Sequence, residues 1–183
     1  MSADHGFLMR QIATGDQAAF AALYQALEAP TLRFIRSKMN DPHEANDILH
    51  EVFMEVWRSA GKFEGRSMVR TWVFGIAYRK TVDAFRKRGK VETRDELPEQ
   101  VDPADAADMT LNAQQEAVHL KSCLNGLSEE QRLAISLAYF EDMTYDEIAE
   151  VAGVPAGTVK SRVFHAKKLL AACMRSRIER AAQ

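Results

Sequence analysis

From Phe7 to Arg88 the apolar residues recur at steps of three and four, which is the helical period, and do not alternate as strands do. Phe20, Leu23, Tyr24 and Leu27 lie on one face, followed by Leu32 and Ile35, with Pro30 between them predicting a kink or break. Asp41 suits an N-cap, Pro42 the first helical position, and Glu44 completes a capping-box spacing. Ala45, Ile48, Leu49, Val52, Phe53, Val56 and Trp57 then form one apolar stripe, while Glu44, Asp47, Glu51 and Glu55 line the opposite side. Gly61 and Gly65 break that helix. Ser67 is placed to cap the next one, which runs towards Arg88.

Between Gly89 and Asp108 the period is lost: Pro98 and Pro103 stand among acids, with few large apolar groups. Helical spacing returns near Leu111. Ser128 with Gln131, and Thr144 with Glu147, have the capping-box spacing. Gly153 marks a turn, and Pro155 opens a last helix. Strand-like alternation and hairpin dipeptides are absent from the sequence. The pattern therefore predicts an all-α chain: a first helical domain over 1–90, a flexible acidic linker over 91–114, and a second helical domain over 115–183.

Composition changes this picture in one respect. The net charge of −2 hides a segregation. Arg66 to Lys90 holds eight bases and one acid, Asp83, whereas Glu92 to Asp108 holds seven acids and one base, Arg94. A basic block suits a polyanion, although a charge run alone equally describes a solvated face. Cys123 and Cys173 are far apart and imply no disulfide framework, so Cys123 reads as a small core residue, Cys173 as an ordinary tail residue, and the setting as reducing and cytoplasmic. No apolar run is long enough for membrane insertion, and the N-terminus does not resemble a signal peptide. His119 and Cys123 are too few for a structural zinc site, so no metal is expected. No phosphate loop, nucleophile elbow or metalloprotease motif appears, which points away from catalysis, cofactors and a small-molecule substrate. Met54 and Met68 read as packing residues.

The segment from Thr144 to Leu170 has helix-turn-helix grammar: a short helix over Tyr145 to Ala152, a Gly turn, then a longer helix. Ala149 is small where two helices approach, and Ile148, Val154 and Val159 can form the core between them. On the second helix Val159, Val163, Ala166 and Leu170 share a narrow stripe. The other side carries Thr158, Ser161, Phe164, His165 and Lys168, edged by Lys160 and Lys167 and by Arg162. An aromatic ring among hydroxyls and cations on a wet face suits a DNA major groove. A plain amphipathic helix with Phe164 packed on a neighbour is the competing explanation.

In its order of motifs the whole chain resembles an extracytoplasmic-function sigma factor of bacterial RNA polymerase. "GDQAAFAALYQALEAPTLRFIRSKMNDPHEANDILHEVFMEVW" is similar to regions 2.1 and 2.2, "KFEGRSMVRTWVFGIAYRKTVDAFRKR" to regions 2.3 and 2.4, and "LNGLSEEQRLAISLAYFEDMTYDEIAEVAGVPAGTVKSRVFHAKKLL" to region 4. The resemblance implies that Asp47, Ile48, Glu51 and Val52 dock on the coiled coil of the β′ subunit, and that the β flap of core polymerase is a further contact. It implies that Lys62, Phe63, Arg66 and Ser67, in the loop that captures a flipped base, act with Arg70, Tyr78, Arg79 and Arg86 on the −10 element. Thr158, Lys160, Ser161, Arg162, Phe164, His165 and Lys168 become readers of the −35 element. Trp72 and Phe74 are candidates for a stacking platform, with a core role weighing more for Trp72. It also implies that the linker threads polymerase channels, and a bare tether that stays acidic for solubility fits the sequence equally.

The implied partners are core RNA polymerase, promoter DNA and an anti-sigma factor, which can hold such a protein at the membrane. The chain departs from the family's usual residues at Val69, where an aromatic is common, and at Tyr78-Arg79, where Arg-Asn is common. His50 replaces a frequent Gln. His165 replaces a frequent base, and a neutral imidazole grips phosphate less firmly than Lys or Arg. Two other readings use fewer motifs: a helix-turn-helix regulator that does not bind core polymerase, and a sigma-like protein that only engages regulators.

Overall fold

The structure is a computed structural model that describes residues 4–39, 41–89 and 111–181. Among these residues it contains α-helices and one 3-10 turn and no strand, as the sequence pattern predicts. The chain divides into two compact units. The first comprises Met1–Pro98 with Glu150–Gly153, the second Glu99–Ala149 with Val154–Gln183.

The first unit contains α1 (His5–Ala13), α2 (Gln17–Arg36), α3 (Pro42–Ser59), a 3-10 turn (Ala60–Lys62) and α4 (Val69–Gly89). Carboxylates start the first three helices. Asp4 accepts from the Gly6 N–H, Asp16 from the Ala18 and Ala19 N–H groups, and Asp41 from the His43 N–H. The helix α2 runs unbroken through Pro30, so of the kink or break expected there the break does not occur. Proline removes one backbone donor, and the buried side chains Leu27, Thr31, Phe34 and Ile35 around it keep the helix in place. Ser67 does not immediately precede α4. The helix begins at Val69, with Met68 before it and the Trp72 N–H bonded to the Met68 carbonyl.

The helices α2, α3 and α4 pack on one another, and α1 closes one side. Their apolar stripes meet in a core of Leu23, Ile35, Val52, Phe53, Val73 and Phe74, all at most 2% exposed. Between α2 and α3, Tyr24 lies 4.5 Å from Phe53 and Phe20 lies 5.2 Å from Trp57, ring centre to ring centre. Tilted and edge-on geometries of this kind add to the area term of aromatic burial. The Tyr24 hydroxyl donates to Glu28, and burial, followed by that carboxylate, raises the phenol above its ordinary value.

The second unit contains α5 (Leu111–Asn125), α6 (Glu129–Phe140), the first part of α7 (Tyr145–Ala152) and α8 (Ala156–Ala181). The helix α5 begins inside the span assigned to the linker. Residues 91–110, the rest of that span, lie outside the described residues. The two capping boxes expected in this unit are formed. Ser128 accepts from the Gln131 N–H at 3.3 Å while Gln131 accepts from the Ser128 N–H at 3.2 Å. Thr144 and Glu147 make the same reciprocal pair at 2.8 and 3.3 Å. The helix α8 packs on α6 and α5 around Leu133, Leu137, Val159, Val163 and Ala166.

The cysteines overturn the expectation of two unpaired thiols. Cys123 on α5 and Cys173 on α8 form a disulfide. The 50-residue separation said nothing about pairing, because the α6–α7–α8 path returns the chain to α5. Cys123 is buried, as expected of a core position, but Cys173 is a cross-link and not an ordinary tail residue. Met68 is 61% exposed and does not pack as expected.

Candidate nucleic-acid interface

In the second unit the Thr144–Glu147 box fixes the start of α7. Gly153 adopts φ 66°, a left-handed conformation natural to glycine, and the Val154 N–H returns to the Ala149 carbonyl at 3.1 Å. The turn then delivers Pro155, whose carbonyl receives the N–H groups of Thr158 and Val159 at the head of α8. The buried stripe of α8 comprises Val159, Val163 and Ala166, each at most 1% exposed, with Leu170 only half-buried further along.

The opposite face emerges as the wheel predicts. Phe164 is 64% exposed, so it does not pack on a neighbouring helix. The His165 ring stands edge-on to it, 5.5 Å between centroids. Lys160, Ser161 and Lys168 are exposed, and Thr158 and Arg162 are half-buried. The Ser161 hydroxyl donates to the Thr158 carbonyl at 2.9 Å, which leaves its lone pairs outward as acceptors. Lys167 is turned aside. Its ammonium lies 4.9 Å over the Tyr139 ring, and a hydrogen bond with the Tyr139 hydroxyl holds it above its ordinary value. It ties α8 to α6.

In the first unit the loop between the 3-10 turn and α4 carries the remaining candidates. Lys62 and Arg66 are exposed, Phe63 and Ser67 half-buried. Gly65 adopts φ 70°, and Arg66 pairs with Glu64. The Phe63 ring lies 5.3 Å from Trp72 at 56°. On α4, Arg79 and Arg86 are exposed, Tyr78 and Arg70 half-buried. Trp72, Arg79 and Arg86 are seven apart, about two turns, so one face of α4 carries an aromatic ring and two guanidinium groups in line. Trp72 is half-buried and belongs to this face more than to the core. Phe74 cannot serve as a stacking platform. It is fully buried, packed 5.3 Å from Phe34, with the Arg70 guanidinium 5.5 Å over its ring.

On α3, Asp47 and Glu51 are exposed, but Ile48 and Val52 lie in the core and present no side chain to a partner there. The outer face of α3 is therefore carried by its acids. Sequence reasoning missed Lys80, which reaches across from α4 to Glu51 and Glu55. Among the described residues no cluster of three or more His, Cys, Asp or Glu is placed to hold a metal, and the Cys123 sulfur beside His119 is already bonded to Cys173. No described helix is long and apolar enough to cross a membrane.

One unit thus presents a basic aromatic face, and the other a helix-turn-helix. Residues 23–91 match the family description Sigma-70 region 2, and residues 118–170 match Sigma-70, region 4. The chain is 30% identical over 179 residues to the ECF RNA polymerase sigma factor SigK of Mycobacterium bovis (strain BCG / Pasteur 1173P2), covering 95% of each chain. It is 29% identical over 178 residues to the protein of the same name from Mycobacterium sp. (strain JLS), covering 95% of this chain and 92% of that one. Among solved structures, the sigma factor RpoE in complex with the anti-sigma factor NepR from Bartonella quintana superimposes with a TM-score of 0.73 at 26% identity, covering 85% of this chain and 96% of that one. CnrH, solved with the cytosolic domain of CnrY, shares the fold with a TM-score of 0.72 at 24% identity, covering 96% and 99%. The chain belongs to the extracytoplasmic-function group of the sigma-70 family and is an alternative sigma factor directing transcription.

Proposed function

We propose that this chain docks on core RNA polymerase through the acidic outer face of α3, reads the −35 element with the exposed face of α8, and engages the −10 element with the Lys62–Ser67 loop and the Trp72–Arg79–Arg86 face of α4. The observation that carries the reading is the exposed Phe164 among Lys160, Ser161, His165 and Lys168 on the second helix of a helix-turn-helix. A ring in that position can meet a thymine methyl while its neighbours take base edges and phosphates. Each reader is small and binds weakly alone. Joining two on one chain raises the effective concentration of the second once the first is engaged. Sigma-70 factors act by binding, so the protein lowers the cost of promoter opening without performing chemistry of its own.

We infer an anti-sigma factor as a further partner, supported by the RpoE–NepR complex. Contact of the second unit with the β flap and a cytoplasmic location belong to the same reading. A reconstituted run-off assay tests it. Purified core polymerase with this chain should initiate from a promoter selected out of a random library, and Asp47→Lys with Glu51→Lys should abolish initiation while leaving binding of the second unit to −35 DNA intact. Failure to direct core polymerase to any promoter would sink the reading.

A further inference from the structure

Lys80 stands midway along α4, and its ammonium lies 3.1 Å from Glu55 Oε2 and 3.5 Å from Glu51 Oε2. Both carboxylates belong to the acidic row of α3, four residues apart. The hydrogen bond to Glu55, helped by the charges of Glu55 and Glu51, holds the Lys80 ammonium above its ordinary value against the opposing effect of burial. His50 and Arg58 border the same recess from α3.

This bridge is an unpromising device for stability. The side chains of Glu51 and Glu55 are 61% and 42% exposed, and ion pairs in that environment contribute little. It does impose order. Two like charges one turn apart repel, and free glutamates sample many rotamers. Lys80 takes the Oε2 atom of each, which holds the two carboxylates in one arrangement.

We propose that Lys80 is a positioning residue for the polymerase-docking face, pre-ordering Glu51 and Glu55 for a basic partner surface. The inference rests on the reading of α3 as the docking helix. Pre-ordering removes the rotamer cost of immobilising two long side chains on binding, worth about threefold to tenfold in affinity after discounting for exposure. The opposing effect, a more negative face once the ammonium is removed, acts over longer range and is largely screened at physiological salt.

The test is titration of the fluorescently labelled full chain with purified core RNA polymerase at physiological ionic strength. Lys80→Met keeps the stem and its packing and should weaken binding about fivefold, mainly through a faster off-rate. Lys80→Arg should restore most of the affinity, because a guanidinium fork can hold both carboxylates. In a Glu51→Gln, Glu55→Gln background, Lys80→Met should have no further effect. The inference is overturned if Lys80→Met binds core polymerase as tightly as the parent, if it weakens binding equally in both backgrounds, or if it impairs only promoter opening. Charge reversal at Asp47 and Glu51 that left core binding unchanged would instead overturn the docking-helix reading beneath it.

Discussion

Cys123 and Cys173 are bonded across 50 residues, so that α5 and α8 are tied covalently, and one turn beyond the cross-link Arg177 donates to Ser122 at 2.6 Å. A cross-link stabilises chiefly by restricting the unfolded chain, and a loop of this length corresponds to about 4 kcal/mol. The first unit, Met1–Pro98 with Glu150–Gly153, contains no cysteine. Reduction, or Cys173→Ser, should therefore lower the melting transition of the second unit by roughly 10 °C or more and leave that of the first in place. Calorimetry with and without reductant reads both transitions, and a shared shift or none would contradict this.

Phe164 and Lys168 should separate by salt. Phe164 is 64% exposed, so Phe164→Ala should change stability by less than about 0.5 kcal/mol. It should lower discrimination at one base pair of the −35 element by about 1–3 kcal/mol, with the salt slope unchanged. Lys168→Ala should weaken all −35 sequences alike and reduce the slope of log K against log salt by about 0.9. His165→Lys should tighten binding and steepen that slope. Fluorescence anisotropy over a salt series is sufficient, and a slope change for Phe164→Ala would show that its ring acts through phosphate contacts nearby.

The pH response of Lys80 has a definite sign. Its folded-state value is raised above the ordinary 10.5, first by the hydrogen bond to Glu55. The stabilisation is fully present below the ordinary value and is lost as pH rises through the higher folded one. Chemical denaturation of the first unit between pH 9 and pH 12 should thus show a loss with the parent that Lys80→Met lacks. With the ion pair partly exposed, the difference should be below about 1 kcal/mol. A loss beginning on the acid side of this window would have another origin.

The Thr144–Glu147 box links a sequence motif to the placement of the reading helix, since it sets where α7 starts before the Gly153 turn. Thr144→Ala removes the oxygen that receives the Glu147 N–H and should cost about 1 kcal/mol of second-unit stability. Thr144→Ser should recover most of it. Thermal melts compare the three, and equal stability of Thr144→Ala and parent would mean that solvent satisfies those donors as well.

Local signals were legible where their physical range is short. The caps at Asp41, Ser128 and Thr144 depend on residues two or three apart, and the stripe of Val159, Val163 and Ala166 depends on one helix. Both appear where spacing places them. Signals that need two helices were not legible. Lys80 meets Glu51 and Glu55, and Cys123 meets Cys173, only because of how α4 packs on α3 and α8 on α5. Pro30 does not end α2 for the same reason, since packing overrides a local breaker. Ile48 and Val52 were assigned to docking by resemblance, although their own apolar spacing already placed them in the core stripe.

Phe63 and Trp72 provide the sharpest test of the −10 face. Their rings lie 5.3 Å apart, both half-buried, with Arg79 and Arg86 in line below Trp72. A ring in this position can stack on an unpaired base, worth about 1–3 kcal/mol, while the arginines hold the backbone. Trp72→Ala should reduce promoter opening about tenfold or more, and Trp72→Phe much less, with affinity for core polymerase unchanged in both. Permanganate reactivity of the unpaired thymines reports the opening. Phe74→Ala is the contrasting control, because that ring is fully buried and its truncation should cost about 3–5 kcal/mol of stability and impair every function of the unit together. If Trp72→Ala behaved like Phe74→Ala, losing stability and core binding with promoter opening, its ring would be a packing element of α4 and the stacking surface would have to lie elsewhere in the Lys62–Ser67 loop.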